Sequence, residues 1–154
     1  MATLLDGLPL GEKFRSAQGR TLSEGDFSLL TNLTWTTSAL HSDKEYMKRT
    51  PFGERILAGP CVLALVLGLT RWSGLYQAFE RCGLRTTALL GYEEVRFTAP
   101  VLPGDTLTSE SEILDARQTK NPSRAVVKVR DTGYKQTGEK VMEGTRLMLM
   151  ERAQ

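Results

Sequence analysis

Histidine and cysteine are scarce in this sequence of 154 residues. It contains one histidine, His41, and two cysteines, Cys61 and Cys82, which do not form a CxxC pair. A zinc cluster needs more ligands than these three residues supply, and two cysteines do not make the framework of a small secreted domain. No glycine-rich dinucleotide loop is present either. We therefore expect no metal, no redox cofactor and no disulfide scaffold.

The sequence also lacks a long hydrophobic run and an excess of charge of one sign. Its longest uncharged stretch covers residues 56–70, which is shorter than the roughly 17–25 residues of a membrane-spanning helix. Lys and Arg total 20 against 18 Asp and Glu, too even a balance for a chain that binds bulk nucleic acid. The N-terminus has no basic start, and Asp6 interrupts its short apolar stretch, so no signal peptide is expected. The expected location is the cytoplasm, with neither membrane nor nucleic acid as a partner.

The composition is that of an ordinary globular protein. Hydrophobic residues make up 40% of the chain and charged residues 25%, which excludes disordered, collagen-like and coiled-coil classes. A chain of this length buries about 70% of its unfolded surface and needs no disulfide or metal to hold a core. One domain covering residues 1–154 is therefore expected.

The first half of the chain has the signals of two short helices. Thr21 and Glu24 have the spacing of a capping box, and leucines follow at helical intervals. A second helix is expected to begin at Ser42 or Asp43, because their side-chain oxygens can accept the first backbone amides, and to end before Pro51.

A third and longer helix is expected over residues 60–81. Gly59 and Pro60 mark its start, since proline fits the first turn of a helix, where its missing N–H costs nothing. The residues that follow are apolar on every side, and from Arg71 the pattern becomes amphipathic until Cys82 and Gly83. A helix that is apolar all round must be wrapped by other structure.

The second half of the chain has the alternation of β-strands and short turns instead. The expected strands cover residues 95–99, 107–113, 127–130 and 141–150, with turns at 103–105 and 133–138. One buried helix and an antiparallel meander together predict an α+β domain whose sheet curls round the helix.

Three segments carry a resemblance to a known family. They are LHSDKEY at residues 40–46, TPFGERILAGP at 50–60 and FTAPVLPGDTL at 97–107. These segments resemble the MaoC-like group of hot-dog proteins, which contains (R)-specific 2-enoyl-CoA hydratases and 3-hydroxyacyl-thioester dehydratases. The resemblance extends from about residue 11 to the end. It implies a single hot-dog domain whose antiparallel sheet wraps round a long central helix, a role in fatty acid metabolism, and at least a homodimer.

The resemblance also implies a set of catalytic residues. Adding water to a 2-enoyl thioester needs a base with a pKa near the working pH and donors for the developing oxyanion. The family meets these needs with an Asp and a His in a GDxNPLH-type loop and a backbone amide before the central helix. His41 matches the family's histidine, and Thr36 stands where the family has the aspartate. Because Pro60 has no N–H, the amide donor would be Gly59 or a residue after Pro60. Thr36 or Ser38 would then position the water.

The missing aspartate leaves the activity open. Threonine can orient a water molecule but cannot act as a base near neutral pH. Because general acid–base catalysis contributes about 10²–10⁴-fold, the substitution predicts slow hydration or none. Asp43 is two residues beyond His41, but the family carries an Asp there too, and a helix cap explains it. Gly59 also has a second interpretation, as a residue required by a tight turn.

Two further residues are predicted to contact the substrate. Trp35 either narrows the acyl pocket or packs as an ordinary aromatic side chain. Arg124, in the basic turn of residues 120–124, either binds the phosphates of coenzyme A or is simply solvated.

Three functions follow from the sequence. The first is a lyase that hydrates or dehydrates the 2,3 bond of an acyl-CoA or acyl-carrier thioester, with coenzyme A as part of the substrate and no cofactor. The second is a non-catalytic acyl-CoA-binding subunit of a heteromeric dehydratase, which the Asp-to-Thr departure favours. The third is a hot-dog thioesterase, which ranks lowest because residues 60–73 contain no carboxylate.

Overall fold

Six strands form one antiparallel sheet in the computed structural model, which describes residues 4–153. Along the sheet the order is β1-β4-β5-β6-β3, and β2 pairs with β4 beside β1. Strand β3 therefore forms one edge of the sheet. In chain order the strands are β1 (Lys13–Arg15), β2 (Arg20–Thr21), β3 (Leu84–Phe97), β4 (Thr106–Gln118), β5 (Arg124–Lys135) and β6 (Lys140–Arg152).

Five α-helices accompany the sheet in residues 4–153, and α4 packs across β4 and β5. This arrangement confirms the expected α+β architecture. None of these helices combines the length and hydropathy that crossing a bilayer requires. The helices are α1 (Glu24–Leu33), α2 (Ala39–Ser42), α3 (Lys44–Met47), α4 (Gly59–Leu69) and α5 (Leu75–Arg81).

The expected helix over residues 60–81 is in fact two helices. After α4, a 3₁₀ turn (Thr70–Trp72) leads to Gly74, which caps α5 with a φ of +87°. Glycine adopts this left-handed conformation without the steric cost that a side chain adds. The amphipathic part of the pattern therefore belongs to the 3₁₀ turn and to α5, which begins after Gly74.

The cap of α1 also differs from the expected one. Thr21 lies in β2, and its hydroxyl bonds that of Thr106 at 2.7 Å. Ser23 is the N-cap instead: its backbone N–H donates to Asp26 Oδ2 at 2.7 Å, and the backbone N–H of Asp26 donates to Ser23 Oγ at 3.1 Å. Asp43 is the N-cap of α3, as predicted, and accepts a hydrogen bond from the backbone N–H of Tyr46.

Several of the expected strand boundaries are wrong, and β4, expected over residues 107–113, continues to Gln118. β3 begins at Leu84, eleven residues before the expected strand at 95–99. β5 continues to Lys135, so that Gly133 lies within a strand and the turn is shorter than residues 133–138. The turn at 103–105 is confirmed, with Gly104 at a φ of +90°.

A buried ion pair lies in the core between two apolar clusters. Asp131 on β5 and Arg146 on β6 are at most 1% exposed, and Arg146 Nε is 2.9 Å from Asp131 Oδ2. Ser111 Oγ donates to Asp131 Oδ1 at 2.7 Å, and Arg146 Nη1 donates to the hydroxyl of Tyr76 at 3.0 Å. Apolar residues adjoin the pair along each strand, Val129 and Met148 in one cluster and Met142 in the other.

Candidate active site

The loop that carries His41 is bound to the segment ahead of α4 by two hydrogen bonds. The backbone N–H of Ile56 donates to the carbonyl of Leu40 at 3.1 Å. Nδ1 of His41 is 2.8 Å from the carbonyl oxygen of Ile56. Because a carbonyl oxygen only accepts, Nδ1 carries the proton in this contact, and in the neutral imidazole Nε2 keeps its lone pair. The half-buried imidazole is thereby fixed as the tautomer that can act as a base through Nε2.

The first residue of α4 presents a free amide. Pro60 has no N–H, and the amides of Cys61 and Val62 both donate to the carbonyl of Ala58, at 2.9 and 3.1 Å. Gly59 is the first residue of α4, where no intrahelical acceptor exists, and within residues 4–153 its N–H has no hydrogen-bond partner. Since the helix dipole also favours negative charge here, the Gly59 N–H is suited to an oxyanion. As the donor to the oxyanion, the Gly59 N–H is therefore favoured over the amides that follow Pro60.

His41 and Gly59 line the same cavity, which has a volume of about 350 Å³. Its other walls come from the segment ahead of α4, from α4 and from the end of β3 with the residues that follow it. No acidic or basic side chain other than His41 is among the described residues that line it. The lining residues are His41, Phe52, Ile56, Leu57, Gly59, Val62, Phe97, Thr98, Ala99, Pro100 and Val101.

Phe97 explains why residue 59 is glycine. A Cβ placed on Gly59 would lie 2.7 Å from the Phe97 ring, closer than side chains pack. Gly59 is helical and is not among the glycines with positive φ, so a tight turn does not explain it. The close approach of the aromatic ring does.

Thr36 is not among the described residues that line this cavity. Its hydroxyl is 2.9 Å from that of Thr34, which itself donates to the carbonyl of Leu30 at 2.6 Å. The Thr34 hydroxyl is also 3.7 Å from Sγ of Cys61 in the first turn of α4. The Thr36 hydroxyl therefore contacts the Thr34 hydroxyl, which lies between α1 and α4, and its predicted role at the substrate stays a prediction.

Ser38 and Trp35 also lie outside the cavity of this chain. Ser38 is the N-cap of α2, and its carbonyl accepts the backbone N–H of His41 at 2.9 Å. Trp35 is 87% exposed, with a φ of +57°. Their predicted roles at the substrate therefore remain predictions.

Arg124 lies at the far end of the sheet from His41. It donates through Nε to Glu151 at 2.7 Å, in a depression of about 380 Å³ that also contains Arg85 and Arg152. Arg124 is paired with Glu151 on β6, whereas Phe97 is paired with Met142. Nine residues of strand between these positions correspond to about 30 Å. The chain does not bring its own Arg124 to the His41 cavity.

Ile56 and Phe97 are the site residues that sequence reasoning missed. Both lie within the segments that carry the family resemblance, so a signal placed them near the site. No sequence signal shows that a backbone carbonyl fixes the histidine tautomer, or that a ring packs against a glycine far away in the chain. Within residues 4–153 no three His, Cys, Asp or Glu side chains come together as a metal site.

Solved structures identify the class of fold. A protein from Archaeoglobus fulgidus described as a monoamine oxidase regulatory protein is similar over 97% of this chain and 95% of its own, with a TM-score of 0.84 and 27% identity. The R-hydratase PhaJ1 of Pseudomonas aeruginosa is similar over 96% of this chain and 84% of its own, with a TM-score of 0.69 and 26% identity. A Mycobacterium tuberculosis protein with a double hot-dog fold matches 97% of this chain and 44% of its own, with a TM-score of 0.77 and 23% identity. The fold is therefore the hot-dog fold, as predicted.

Within that class, the chain belongs to the MaoC-like family. The family model described as "MaoC like domain" matches residues 7–135. Two curated relatives are each 32% identical over 143 residues, which is 93% of this chain: the beta-methylmalyl-CoA dehydratase of Chloroflexus aurantiacus and the mesaconyl-CoA hydratase of Cereibacter sphaeroides. The chain spans only 38% and 39% of the length of these relatives.

Proposed function

We propose that this protein is a lyase that adds or removes water at the 2,3 bond of an acyl-CoA or acyl-carrier thioester. The observation that carries the proposal is that His41 and Gly59 line the same apolar cavity, with Nδ1 of His41 bonded to the carbonyl of Ile56. The names of the two curated relatives support the reaction class. The proposed unit is one hot-dog domain covering residues 1–154, located in the cytoplasm, with no cofactor beyond the coenzyme A of its substrate.

In the hydration direction, His41 Nε2 removes a proton from water as the water oxygen bonds to C3. The electron pair of the double bond moves toward the thioester, and the charge on its oxygen is stabilised by the Gly59 N–H. The imidazolium then returns the proton to C2, which completes the addition. Among the described residues that line the cavity, His41 is the only group that can take and return this proton. It would thus perform both proton transfers, without the family's aspartate.

A second subunit is part of the proposal. β3 is a strand of 14 residues at the edge of the sheet, and its Leu89 and Leu90 are 51% and 52% exposed. An unpaired edge with apolar side chains is a template for pairing with another strand. The proposed assembly is a homodimer or a higher even oligomer. Trp35 and Arg124 would contribute to a substrate site only if the assembly brings them to the cavity of a neighbouring subunit.

A binding subunit of a heteromeric dehydratase is the second candidate. The observation that favours it is the engagement of Thr36 with Thr34, because no carboxylate takes the place of the missing aspartate at the cavity. In that case a related hot-dog subunit with an intact Asp and His would perform the chemistry. The protein described here would bind acyl-CoA without turning it over.

Product analysis tests the lyase. The purified protein is incubated with short, medium and branched 2-enoyl-CoAs. The product masses are measured by mass spectrometry, and free thiol is measured in parallel. A gain of one water with the thioester intact is the expected result. Release of free thiol instead would show a thioesterase. No turnover, with activity gained by Thr36→Asp, would show the binding subunit.

A further inference from the structure

We propose that the acyl group bound beside His41 is uncharged and compact, and that Phe97 sets its size limit. This inference rests on the proposed function, because it concerns the substrate of the same cavity. It differs from what the names of the curated relatives suggest, since mesaconyl and methylmalyl groups each carry a free carboxylate in addition to the thioester.

The charge preference follows from the walls of the cavity. No lysine or arginine is among its lining residues. The guanidinium of Arg55, one residue before Ile56, is bound to Glu24, and its Cζ lies over the ring of Phe27, 6.0 Å from the ring centroid. The ammonium of Lys44 is engaged by Glu54 at 2.9 Å. The Gly59 N–H is taken by the thioester oxygen in the proposed reaction. A carboxylate on the acyl group would then lose its hydration without gaining a lysine or arginine partner among the described lining residues, so an uncharged acyl chain is favoured.

The size limit follows from the position of the Phe97 ring. Phe97 is the last residue of β3, and its backbone is paired with Met142 on β6. This pairing fixes the Cα, and the ring lies against Gly59 at the start of α4. The side chain is nevertheless 47% exposed, so one part of the ring packs on the helix while the rest bounds the cavity. A longer acyl chain anchored at Gly59 would meet this ring.

Binding of saturated acyl-CoAs tests both parts without requiring turnover, since these ligands have no 2,3 double bond. Butanoyl-, decanoyl- and succinyl-CoA share the same coenzyme A moiety, so differences in Kd by calorimetry report the acyl group. Wild-type protein is expected to bind butanoyl-CoA at least about tenfold more tightly than succinyl-CoA. Phe97→Ala is expected to improve the decanoyl-to-butanoyl affinity ratio by about tenfold or more, because it frees apolar volume for several methylenes.

Phe52→Ala is the matched control. Phe52 lines the same cavity and is 46% exposed, but it belongs to the loop ahead of α4 and not to β3. It is expected to change the decanoyl-to-butanoyl ratio less than about threefold, in keeping with a wall that does not pack on Gly59. Phe97→Leu tests the same size effect if the alanine variant does not fold. It is expected to shift the decanoyl-to-butanoyl affinity ratio in the same direction by a smaller factor.

Three results overturn the inference: succinyl-CoA binding as tightly as butanoyl-CoA, an unchanged ratio in both Phe97 variants, or an equal shift in Phe52→Ala. The proposed function fails separately. If the protein binds the acyl-CoAs as expected but does not turn over 2-enoyl-CoAs, the lyase assignment is contradicted and the inference about the acyl group is supported. If 2-enoyl-CoAs are turned over but substitution of Phe97 does not change the chain-length preference, the lyase assignment is supported and the inference about Phe97 is contradicted.

Discussion

Nδ1 of His41 donates its proton to the carbonyl oxygen of Ile56 at a distance of 2.8 Å. The backbone N–H of the same Ile56 bonds to Leu40, so one residue holds both the backbone and the ring of the histidine loop. Three residues later the chain reaches Gly59 and begins α4. This short connection places the basic Nε2 and the free amide at a common cavity.

Two glycines of α4 are predicted to respond in opposite ways to alanine. Gly59→Ala places a Cβ 2.7 Å from the ring of Phe97, so the ring or the helix must move. We expect a loss of about 1–3 kcal/mol in the free energy of unfolding and a displaced Gly59 amide that lowers activity. Urea unfolding and 2-enoyl-CoA turnover measure the two effects.

Gly68→Ala is the control for this substitution. A Cβ at Gly68 meets no atom within 4 Å, and alanine is the better helix former. The variant is expected to gain about 0.5–1 kcal/mol of stability and to retain its activity. Equal stability changes in both variants would show that the ring contact at Gly59 has no cost.

The buried pair of Asp131 and Arg146 is predicted to behave as a coupled unit. Arg146→Met leaves the carboxylate of Asp131 buried without its partner, which should cost about 3–5 kcal/mol. Asp131→Leu leaves the guanidinium of Arg146 buried without its partner in the same way. The double variant is expected to lose at least about 1 kcal/mol less than the sum of the single losses. Losses in urea unfolding that add within about 0.5 kcal/mol would contradict coupling.

Asp105 is predicted to make stability depend on pH in the acid range. Burial alone would raise the pKa of its carboxyl, but hydrogen bonds from the Leu102 N–H and Gln136 and the ion pair with Lys135 outweigh it and hold the pKa below the usual value of 3.8. The stabilisation is therefore complete above that value and is lost as pH falls through the lower pKa of the folded state.

Asp105→Asn tests this dependence. The variant is expected to lose about 1–3 kcal/mol of stability at neutral pH, as expected for hydrogen bonds to a charged group, and progressively less as the pH falls below 4. Chemical unfolding between pH 2.5 and 7 measures the difference from wild type. A difference that is constant across this range would contradict the assigned role of the carboxylate.

Local signals predicted those parts of the fold that local contacts determine. The N-cap at Asp43 and the turn at Gly104 follow from single residue types. Thr21 had the pattern of a cap, but pairing of β2 with β4 outweighed it. Most of β3 was missed because it lies at the sheet edge and has register shifts that interrupt its alternation, beginning between Thr86 and Ala88.

The candidate site was predicted in part. The resemblance drew attention to His41 and Gly59, and the structure places both at one cavity. It could not show that Ile56 selects the histidine tautomer, since any residue has a carbonyl, nor that Phe97 contacts Gly59 from another strand. The replacement of the family's aspartate by Thr36 stays a prediction, and the bond of Thr36 to Thr34 could not be predicted because it depends on how the loop folds.

The most direct test of the account is the rate of 2-butenoyl-CoA hydration by wild-type protein and by His41→Ala. If His41 performs both proton transfers, kcat falls by about 10²–10⁴-fold while the Kd for butanoyl-CoA and the melting temperature stay near their wild-type values. A variant that hydrates the substrate within about threefold of the wild-type kcat would contradict the account, because general acid–base catalysis contributes far more than that.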